Sequence, residues 1–475
     1  MTGRGFVYLV GAGPGDPRLL TVRAHELVRA AEVVAYDELV SPAILALAPP
    51  DAERVAVGRR AGHGPTAFRL HPAVLDRARA GRHVVRLKCG DPLVFGRGGE
   101  EAEELAAAGI GFEIVPGVSA ALGAAACAGI PLTHRACASS VRLATGHTAE
   151  VGAPRPRGET IVVYMAARRV AASLSELTAA GWSPATPAAW IAAATTPAQQ
   201  VVTGTIGDLA ARLADHAAAL AAPALLVVGD VVARRTPWWE DRPLIGRRVL
   251  VARARPGRSR LAARLRALGA EVIEAPAIDV TAIGDDALDA ALDGVGDAVL
   301  AFGCAPGVDA VLARRAVAPA RILAIGGAAA RALARRGVVP GLAVTGGACR
   351  DALAPAVAAL GARPVVVVTA TSGRPSLLDE LAALGVRAEP LPAYRAAPRP
   401  TPTPGRFDVL ALPSSSAARL VLAADPRLRD VPAIAMGPRT EAAARALGAS
   451  RVRRAGADTV DAMVAGVVAV TREVA

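Results

Sequence analysis

The sequence contains 475 residues, which is enough for two or more domains that each bury an apolar core. Hydrophobic residues account for 53% and charged residues for 20%, a balance typical of a folded α/β protein rather than a disordered chain. No uninterrupted run of about 20 apolar residues occurs, and the N-terminus lacks the layout of a signal peptide. We therefore expect a cytoplasmic protein that does not enter a membrane.

The formal net charge of +12 raises nucleic acid as a partner. Aromatic residues make up only 3%, however, and no basic block with interleaved stacking residues occurs. The positive charge is almost all arginine, because Lys88 is the only lysine in the chain. We expect no nucleic-acid partner. Two explanations of the charge stay open: a solvated surface, or an acidic small substrate whose carboxylates pair with arginine.

The cysteines predict neither a disulfide framework nor a zinc site. They are Cys89, Cys127, Cys137, Cys304 and Cys349. Their number is odd, they lie far apart, and no Cys-x-x-Cys pair occurs. His134 and His147 show no metal-ligand spacing either, so we expect no metal, and both stay open between substrate contact and loop scaffold.

A strand that runs into a glycine-rich loop is the first predicted element. Val7–Val10 is a short apolar run, and the three glycines within Gly11–Gly15 let the backbone turn sharply and approach a ligand. A helix is predicted to begin at Asp16-Pro17, with an apolar face from Leu20 to Ala31. Val33–Asp37 is then a second buried strand that ends in a carboxylate. This order predicts a βαβ unit.

The first alternative for this loop is a nicotinamide-dinucleotide site. Asp16 stands where that fingerprint needs its third glycine, and Pro14 removes a backbone N–H that a pyrophosphate would use. The residues at these two positions therefore disfavour a dinucleotide-binding site. A second glycine-rich loop, Arg86–Glu101, follows another predicted strand. Two such loops in a parallel sheet face each other across its carboxyl edge, where open α/β sheets bind ligands.

Several motifs occur in an order that resembles a known protein family. They are Val-Gly-Ala-Gly-Pro-Gly-Asp16, Tyr36-Asp37, Gly-Asp-Pro92, Phe-Gly-Arg-Gly-Gly-Glu-Glu101, Val-Pro-Gly-Val-Ser119-Ala120, Gly-Ile-Pro-Leu-Thr-His-Arg135, Thr-Gly-His147 and Tyr164-Met165. Over about residues 5 to 240 they resemble, in this order, uroporphyrinogen-III C-methyltransferases. The resemblance implies a tetrapyrrole-methylase-type α/β fold of two subdomains, at about 1–135 and 136–242, and a homodimer through this domain.

The resemblance also implies methyl transfer from S-adenosyl-L-methionine to two ring carbons of uroporphyrinogen III, which gives precorrin-2. Asp37 is the expected catalytic base, because removing a pyrrole N–H proton makes the ring carbon more nucleophilic. Its alternatives are a helix cap or a ribose contact. Arg59 stands where the family usually has a lysine regarded as a proton donor, and arginine keeps its proton. Arg59 is thus expected to pair with a substrate carboxylate.

Other site residues are carried over from the family position by position. The expected cofactor contacts are Pro14, Cys89, Gly90, Asp91, Val94, Ser119, Ala120, Met165 and Ala194. Cys89 replaces a usual glycine and has no base near it in sequence, which argues against a nucleophile. Arg135 and Arg142 are the expected contacts to the acidic substrate, in a segment that caps a substrate trough.

An internal repeat organises the rest of the chain after a linker at 234–246. Leu265–Ile278 matches Leu381–Tyr394, and each copy predicts alternating strands and helices. Two copies predict two similar α/β lobes rather than a solenoid, which needs three or more repeats. The domains expected from these patterns are 1–242 and 245–475.

The duplicated pattern resembles uroporphyrinogen-III synthase. The resemblance implies lobes at 245–282 with 400–475 and at 283–399, and cyclisation of hydroxymethylbilane. Tyr394 is the expected catalytic residue at a strand end, with Ser414, Ser415 and Thr440 as substrate anchors. Phe302–Pro306 departs from the family, whose first lobe usually offers threonine and serine there.

Other functions stay open or lack their motifs. A C-terminal half that binds tetrapyrrole without catalysis is the alternative to an active synthase. A dehydrogenase half would need a true dinucleotide fingerprint, and a ferrochelatase would need clustered acids and histidines. Neither pattern occurs in the sequence.

Overall fold

The computed structural model describes most of the chain. The described residues are 5–58, 70–146, 158–167, 169–216, 220, 223–253, 259–283, 285–344, 350–361, 363–371, 376–399 and 405–473. They separate into two compact units. One runs to Arg247 and includes Leu265–Glu271, and the other comprises Arg248–Arg264 and the chain from Val272 onward. No helix within these ranges is both long and apolar enough to cross a membrane.

A five-stranded parallel sheet with the order β3-β2-β4-β1-β5 forms the first subdomain. Its strands are β1 (Phe6–Gly11), β2 (Val33–Tyr36), β3 (Glu53–Ala56), β4 (His83–Lys88) and β5 (Gly111–Val115). The aliphatic residues of β1, β2 and β4 are buried, because helices cover both faces of a parallel sheet. The βαβ unit predicted at the N-terminus is confirmed.

The helices of this subdomain are α1 (Val22–Arg29), α2 (Pro42–Leu45), α3 (Pro72–Arg79), α4 (Gly98–Ala107) and α5 (Ala120–Ala128). Helix α1 begins later than predicted. Asp16 starts only a 3₁₀ turn at Pro17–Leu19, and Leu20 is extended. Thr21 then caps α1, since its hydroxyl accepts a hydrogen bond from the Ala24 N–H (3.1 Å).

A mixed sheet with the order β6-β7-β10-β8-β9 forms the second subdomain. Its strands are β6 (Ser140–Thr145), β7 (Glu159–Tyr164), β8 (Pro187–Ala192), β9 (Gln200–Thr205) and β10 (Ala224–Val228). Only β6 and β7 pair in parallel. Helices α6 (Val170–Ala179) and α7 (Leu209–Ala214) pack on one face. Helix α5 packs on the other face, which joins the two subdomains.

The segment predicted as a linker packs against the first unit. Trp239 is buried, and the Arg242 guanidinium lies 3.4 Å from its ring centroid. Trp238 is half-exposed, and its indole N–H donates to the Ala126 carbonyl (2.8 Å). The two indoles meet edge to face.

Lobe one, as defined here, has a sheet with the order β12-β11-β19-β20-β21. Its strands are β11 (Arg248–Arg253), β12 (Glu271–Pro276), β19 (Val409–Leu412), β20 (Ala433–Ala435) and β21 (Val452–Arg454). Its helices are α8 (Arg260–Ala267), α14 (Ser415–Ala424), α15 (Pro438–Ala446) and α16 (Val460–Glu473). The lobe therefore combines two separated parts of the chain.

Lobe two has a sheet with the order β13-β18-β17-β14-β15-β16. Its strands are β13 (Ile278–Ala282), β14 (Val299–Phe302), β15 (Ile322–Ile325), β16 (Leu342–Val344), β17 (Val365–Ala370) and β18 (Ala388–Pro398). Its helices are α9 (Asp285–Asp293), α10 (Ala305–Arg314), α11 (Gly326–Arg335), α12 (Arg350–Leu360) and α13 (Ser376–Ala383). Five of its strands repeat the strand order of lobe one, which confirms the predicted duplication.

Two details of the predicted lobes are wrong. Strand β13 pairs with β18, so Ile278–Ala282 belongs to the sheet of lobe two rather than to lobe one. The same pairing extends β18 to Pro398, so Tyr394 lies within the strand and not at its end. Phe302 ends β14, which puts the departing segment Phe302–Pro306 in the lobe of Tyr394.

Candidate active site

At the carboxyl edge of the first sheet, three loops contact one another through the backbone of their glycines. Gly13 and Gly90 exchange backbone hydrogen bonds of 3.1 and 2.8 Å, which pairs the loop after β1 with the loop after β4. A Cβ built on Gly117, in the loop after β5, would lie 2.3 Å from the Gly90 carbonyl oxygen and 2.8 Å from Gly11 Cα. Glycine is required because the backbones touch, and the result is a shallow cradle lined by peptide groups.

Asp91 ties this cradle together. Its Oδ2 accepts a hydrogen bond from the Gly117 N–H (3.0 Å), and its Oδ1 accepts one from the Leu93 N–H (2.9 Å). Both carboxylate oxygens are therefore used by backbone donors. Asp91, an expected cofactor contact, therefore fixes the backbone of two loops that form the cradle.

A hydrogen bond joins the two subdomains beside the cradle. Ser119 Oγ and the Tyr164 hydroxyl lie 2.6 Å apart, and the Ala121 N–H donates to the same hydroxyl (3.0 Å). Ser119 precedes α5, and Tyr164 ends β7, so one bond links a loop of the first sheet to a strand end of the second. The Phe95 ring packs 4.9 Å from the Tyr164 ring, between centroids. These contacts join the two subdomains at this corner.

Strained backbone is concentrated here. Within the part of the chain that the structure describes, five residues other than glycine have positive φ angles. They are Phe95 (53°), Arg97 (57°), Met165 (57°), Ala193 (47°) and Thr195 (64°). Two belong to the loop after β4, and three follow β7 and β8 of the second sheet. Non-glycine residues adopt this conformation at a cost, and such residues cluster at ligand sites.

The remaining expected cofactor contacts lie around this cradle. Pro14 lies over α5, where a Cβ on Gly123 would be 2.5 Å from Pro14 Cγ. Val94, Ala120 and Ala194 are partly buried against the apolar cluster between α5 and the second sheet. Met165 is 42% exposed, as a side chain that meets a ligand would be. That these residues bind the cofactor stays a prediction.

Asp37 lies directly after β2, at the same edge of the sheet. Its Oδ1 accepts a hydrogen bond from Arg86 Nη2 (2.6 Å), and its side chain is 26% exposed. Within the described residues it caps no helix, because Ser41 provides the cap of α2. Gly58 leaves the room this carboxylate needs, since a Cβ there would lie 2.9 Å from Oδ1.

Behind Asp37 lies a group of buried charges. Arg86 Nη2 also donates to Glu101 Oε1 (2.9 Å), and Lys88 Nζ donates to the same oxygen (2.7 Å). Burial lowers the pKa of Lys88, and the nearby Arg86 charge acts in the same direction. Cys89 has a pKa raised to about 11 by burial and by the negative charge of Asp37. Its thiol is therefore protonated at neutral pH, which disfavours a role as a nucleophile.

Two of the expected substrate contacts of the first unit, Arg135 and Arg142, lie within the described residues. Arg135 is exposed, in the turn between His134 and Ala138. Arg142 pairs with Glu159 (2.9 Å) across β6 and β7. His134 Nδ1 accepts a hydrogen bond from the Ala136 N–H, which is a loop-scaffold contact. Arg59 and His147 lie outside the described residues.

The candidate residues of the second unit fall into two groups. Tyr394 belongs to lobe two, where its hydroxyl lies 3.2 Å from Cys304 Sγ. Ser414, Ser415 and Thr440 belong to lobe one, at the starts of α14 and α15. Ser414 caps α14 by accepting a bond from the Ala417 N–H, and Thr440 is 6% exposed. Both lie at the carboxyl ends of parallel strands, where α/β sheets bind ligands.

Four residues contribute to the site beyond those that the sequence predicts. Tyr164 enters the sequence motifs only beside Met165, whereas the structure gives its hydroxyl a partner across the two subdomains. Arg86 and Lys88 interrupt the apolar strand β4, and that interruption was the available signal of buried charge. Glu101 is one of four acids near the start of α4, where carboxylates usually complement the helix dipole, so the sequence does not indicate its burial.

The sheets, the glycine cradle and the strand-end carboxylate define a two-subdomain α/β methylase followed by a duplicated two-lobe domain. Residues 7–210 match the family model of the tetrapyrrole (corrin/porphyrin) methylases, and residues 259–465 match that of uroporphyrinogen-III synthase HemD. The chain therefore belongs to the tetrapyrrole methylases and carries a uroporphyrinogen-III synthase domain behind the methylase domain. Both predicted resemblances are confirmed.

Curated relatives share half of this chain. A siroheme synthase from Pseudomonas fluorescens (strain Pf0-1) is 50% identical over 249 residues, which are 50% of this chain and 53% of that protein. A siroheme synthase from Ectopseudomonas mendocina (strain ymp) is 49% identical over 245 residues, again 50% of this chain and 53% of that protein. The chain spans about half the length of these relatives.

Solved structures are similar to each half. The uroporphyrin-III C-methyltransferase of Thermus thermophilus is 44% identical, with 48% of this chain and 96% of that chain covered and a TM-score of 0.41. A structure of that organism's enzyme complexed with S-adenyl homocysteine is 40% identical, with 48% and 100% covered and a TM-score of 0.41. A mutant uroporphyrinogen III synthase from the same organism is 22% identical, with 48% and 100% covered and a TM-score of 0.35.

Proposed function

We propose that the first unit methylates uroporphyrinogen III at two ring carbons with S-adenosyl-L-methionine, giving precorrin-2. The observation that carries this proposal is the carboxylate of Asp37, which lies at the same sheet edge as the glycine cradle of a tetrapyrrole methylase. A base and a cofactor cradle on one edge suit a reaction in which proton removal activates a ring carbon.

The residues present fit the cofactor. The contact of Gly11, Gly90 and Gly117 leaves peptide groups where side chains would exclude an adenosine. Ser119 and the strained Met165 border this cradle, and Met165 is 42% exposed. S-adenosylmethionine supplies an electrophilic methyl group, and its leaving thioether needs no acid. The protein therefore has mainly to align the methyl group with the ring carbon.

Alignment of the methyl group does not activate the ring carbon, and we assign that step to the Asp37 carboxylate as a base. Arg86 holds Oδ1, and no described residue donates a hydrogen bond to Oδ2. Oδ2 is thus the oxygen that accepts the pyrrole N–H proton, which raises the nucleophilicity of the adjacent ring carbons. Arg59, Arg135 and Arg142 are proposed to bind substrate carboxylates, because a guanidinium pairs with a carboxylate in a bidentate way.

The test is methylation of supplied uroporphyrinogen III with S-adenosylmethionine, followed by mass spectrometry of the product. The full chain should add two methyl groups. Asp37→Asn should keep its affinity for S-adenosylhomocysteine within about twofold and lose roughly 100-fold or more in kcat, as removal of a general base does. Undiminished turnover of Asp37→Asn would make Asp37 structural and overturn the mechanism.

We further propose that the second unit closes hydroxymethylbilane to uroporphyrinogen III. Its match to uroporphyrinogen-III synthase and the hydroxyl groups at the starts of α14 and α15 support this activity. Tyr394 assists loss of the bilane hydroxyl, while Ser414, Ser415 and Thr440 anchor carboxylates. The alternative is a domain that binds tetrapyrrole without turnover.

The isomer of the product separates these two alternatives. An active domain gives isomer III from hydroxymethylbilane without added methyl donor, and Tyr394→Phe slows its formation. Isomer I alone, the product of spontaneous closure, would leave only the binding role. A homodimer formed through the methylase domain and a cytoplasmic location complete the proposal, and sedimentation of the full chain tests the first of them.

A further inference from the structure

A set of buried charges lies behind the candidate base. Arg86 and Lys88 on β4 are 5% and 2% exposed, and Glu101 on α4 is 2% exposed. Charged side chains are rarely buried so completely, because removing them from water costs more than an ion pair commonly returns. Three of them together in an otherwise apolar core call for a reason beyond packing.

Their hydrogen bonds form a single line that ends at Asp37. Lys88 Nζ and Arg86 Nη2 both donate to Glu101 Oε1, at 2.7 and 2.9 Å. Arg86 Nη2 also donates to Asp37 Oδ1 at 2.6 Å. Positive and negative charges alternate along the line, so each ion lies beside an opposite charge. Asp37 is the most exposed member of the line.

Arg86 fixes one oxygen of Asp37 and is itself fixed. Its Nη1 donates to the Leu87 carbonyl (2.9 Å), while Nη2 bridges the two carboxylates. The Asp37 N–H donates to the same Leu87 carbonyl (3.2 Å). Backbone and side chain of Asp37 are thus both attached to β4, and the orientation of the carboxylate follows from that strand.

Fold stability alone does not explain this line. Arg86 Nε and Glu101 Oε2 are buried and have no hydrogen-bond partner among the described residues. An unpaired buried polar atom destabilises a fold. Apolar residues in place of a buried ionic set are often neutral or stabilising. The line therefore carries a cost, and charged groups in such surroundings are concentrated at functional sites.

We propose that Arg86 is the positioning residue of the Asp37 carboxylate, and that Glu101 and Lys88 hold Arg86 in place. The inference rests on the proposed methyl transfer. In the proton step the pyrrole N–H bond breaks, an O–H bond forms at Asp37 Oδ2, and the electron pair stays on the ring. Arg86 keeps its own proton throughout, because its guanidinium does not ionise in proteins. Its contribution is the direction in which Oδ2 points.

The first experiment compares Arg86→Lys with a matched control, Arg77→Lys. Arg77 lies on α3 of the same subdomain and pairs with Glu53 at a partly exposed site. A lysine at position 86 cannot reach both carboxylates and the Leu87 carbonyl, so kcat should fall roughly 10- to 100-fold. The affinity for S-adenosylhomocysteine and the KM for uroporphyrinogen III should stay within about twofold. Arg77→Lys should keep the wild-type kcat.

The second experiment asks whether Arg86 acts through Asp37. In an Asp37→Asn background the Arg86→Lys change should have no further effect on kcat, because the base it orients is absent. A merely structural role would lower the rate by the same factor in both backgrounds. Glu101→Gln, which keeps the shape of the side chain, should reduce kcat in the same direction, and it carries the test if Arg86→Lys does not fold.

The outcomes separate this inference from the proposed function. A wild-type chain that does not methylate uroporphyrinogen III refutes the function itself. A wild type that does, with Arg86→Lys and Glu101→Gln as fast as Arg77→Lys, overturns the positioning role. Equal losses from Arg86→Lys with and without Asp37 would overturn it as well.

Discussion

Gly117→Ala is the most direct perturbation of the glycine cradle. Gly117 has no positive φ, so alanine is compatible with its backbone, and only the lack of space opposes the change. The added Cβ would lie 2.3 Å from the Gly90 carbonyl oxygen and 2.8 Å from Gly11 Cα. Both neighbours are backbone atoms, and the Asp91 carboxylate holds the Gly117 N–H in place. The three loops must therefore move apart.

The size of the effect follows from this geometry. Forcing a methyl group into a closely packed site costs about 1–3 kcal/mol. For a unit of this size each kcal/mol lowers the unfolding temperature by about 2–4 °C, so we expect a decrease of roughly 2–12 °C. A cradle that opens by the same free energy should bind S-adenosylhomocysteine roughly 5- to 140-fold more weakly, since about 1.4 kcal/mol corresponds to a factor of ten.

The assay combines thermal unfolding with calorimetric titration of S-adenosylhomocysteine. Gly99→Ala is the matched control, because Gly99 lies in α4 and a Cβ there meets no atom within 4 Å. It should leave the unfolding temperature unchanged or raise it slightly, because alanine in place of a helical glycine adds at most about 1 kcal/mol to the free energy of unfolding. If Gly117→Ala keeps the unfolding temperature and the S-adenosylhomocysteine affinity of the wild type, the backbones of the three loops are not in contact, which would contradict this account of the cradle.

Three further predictions concern single side chains. Tyr164→Phe leaves the buried Ala121 N–H without its acceptor, so it should cost about 1–3 kcal/mol in the free energy of unfolding and weaken S-adenosylhomocysteine binding in a titration. Arg59→Lys should raise the KM for uroporphyrinogen III by losing a bidentate contact, and a faster enzyme with unchanged KM would contradict this. Cys127 has a pKa raised by burial to about 11 from 9.0, so its stabilising contribution is complete below pH 9.0 and is lost as the pH rises through about 11. The stability difference between wild type and Cys127→Ala in urea should therefore shrink over that window, and a constant difference would show that the thiol does not titrate there.

The strands that carry the site were predictable, whereas two edge strands were not. Val7–Val10 and Val33–Tyr36 are continuous apolar runs because parallel strands are buried on both faces. Strands β6 and β9 are half-exposed edge strands, and β6 contains Arg142. A strand with one solvent-exposed face carries polar residues and lacks the apolar run that identifies a buried strand. In the second sheet, therefore, only β7, β8 and β10 carry an apolar run from which the sequence predicts a strand.

The position of Asp37 followed from the sequence, but its partner did not. A carboxylate directly after a buried strand lies at the binding edge of the sheet. Arg86 comes 49 residues later, and the sequence does not say which acid a buried arginine meets. The start of α1 shows a different limit. Asp16-Pro17 and Thr21 both have the chemistry of a helix cap, and only the extended Leu20 between them decides which one begins α1.

One measurement tests the central claim, that this chain builds and methylates uroporphyrinogen III. The full chain is incubated with hydroxymethylbilane and S-adenosylmethionine, and the tetrapyrrole is identified by mass and isomer. We predict a doubly methylated product of the isomer III series. Unmethylated isomer I as the sole product would contradict the activities proposed for both units.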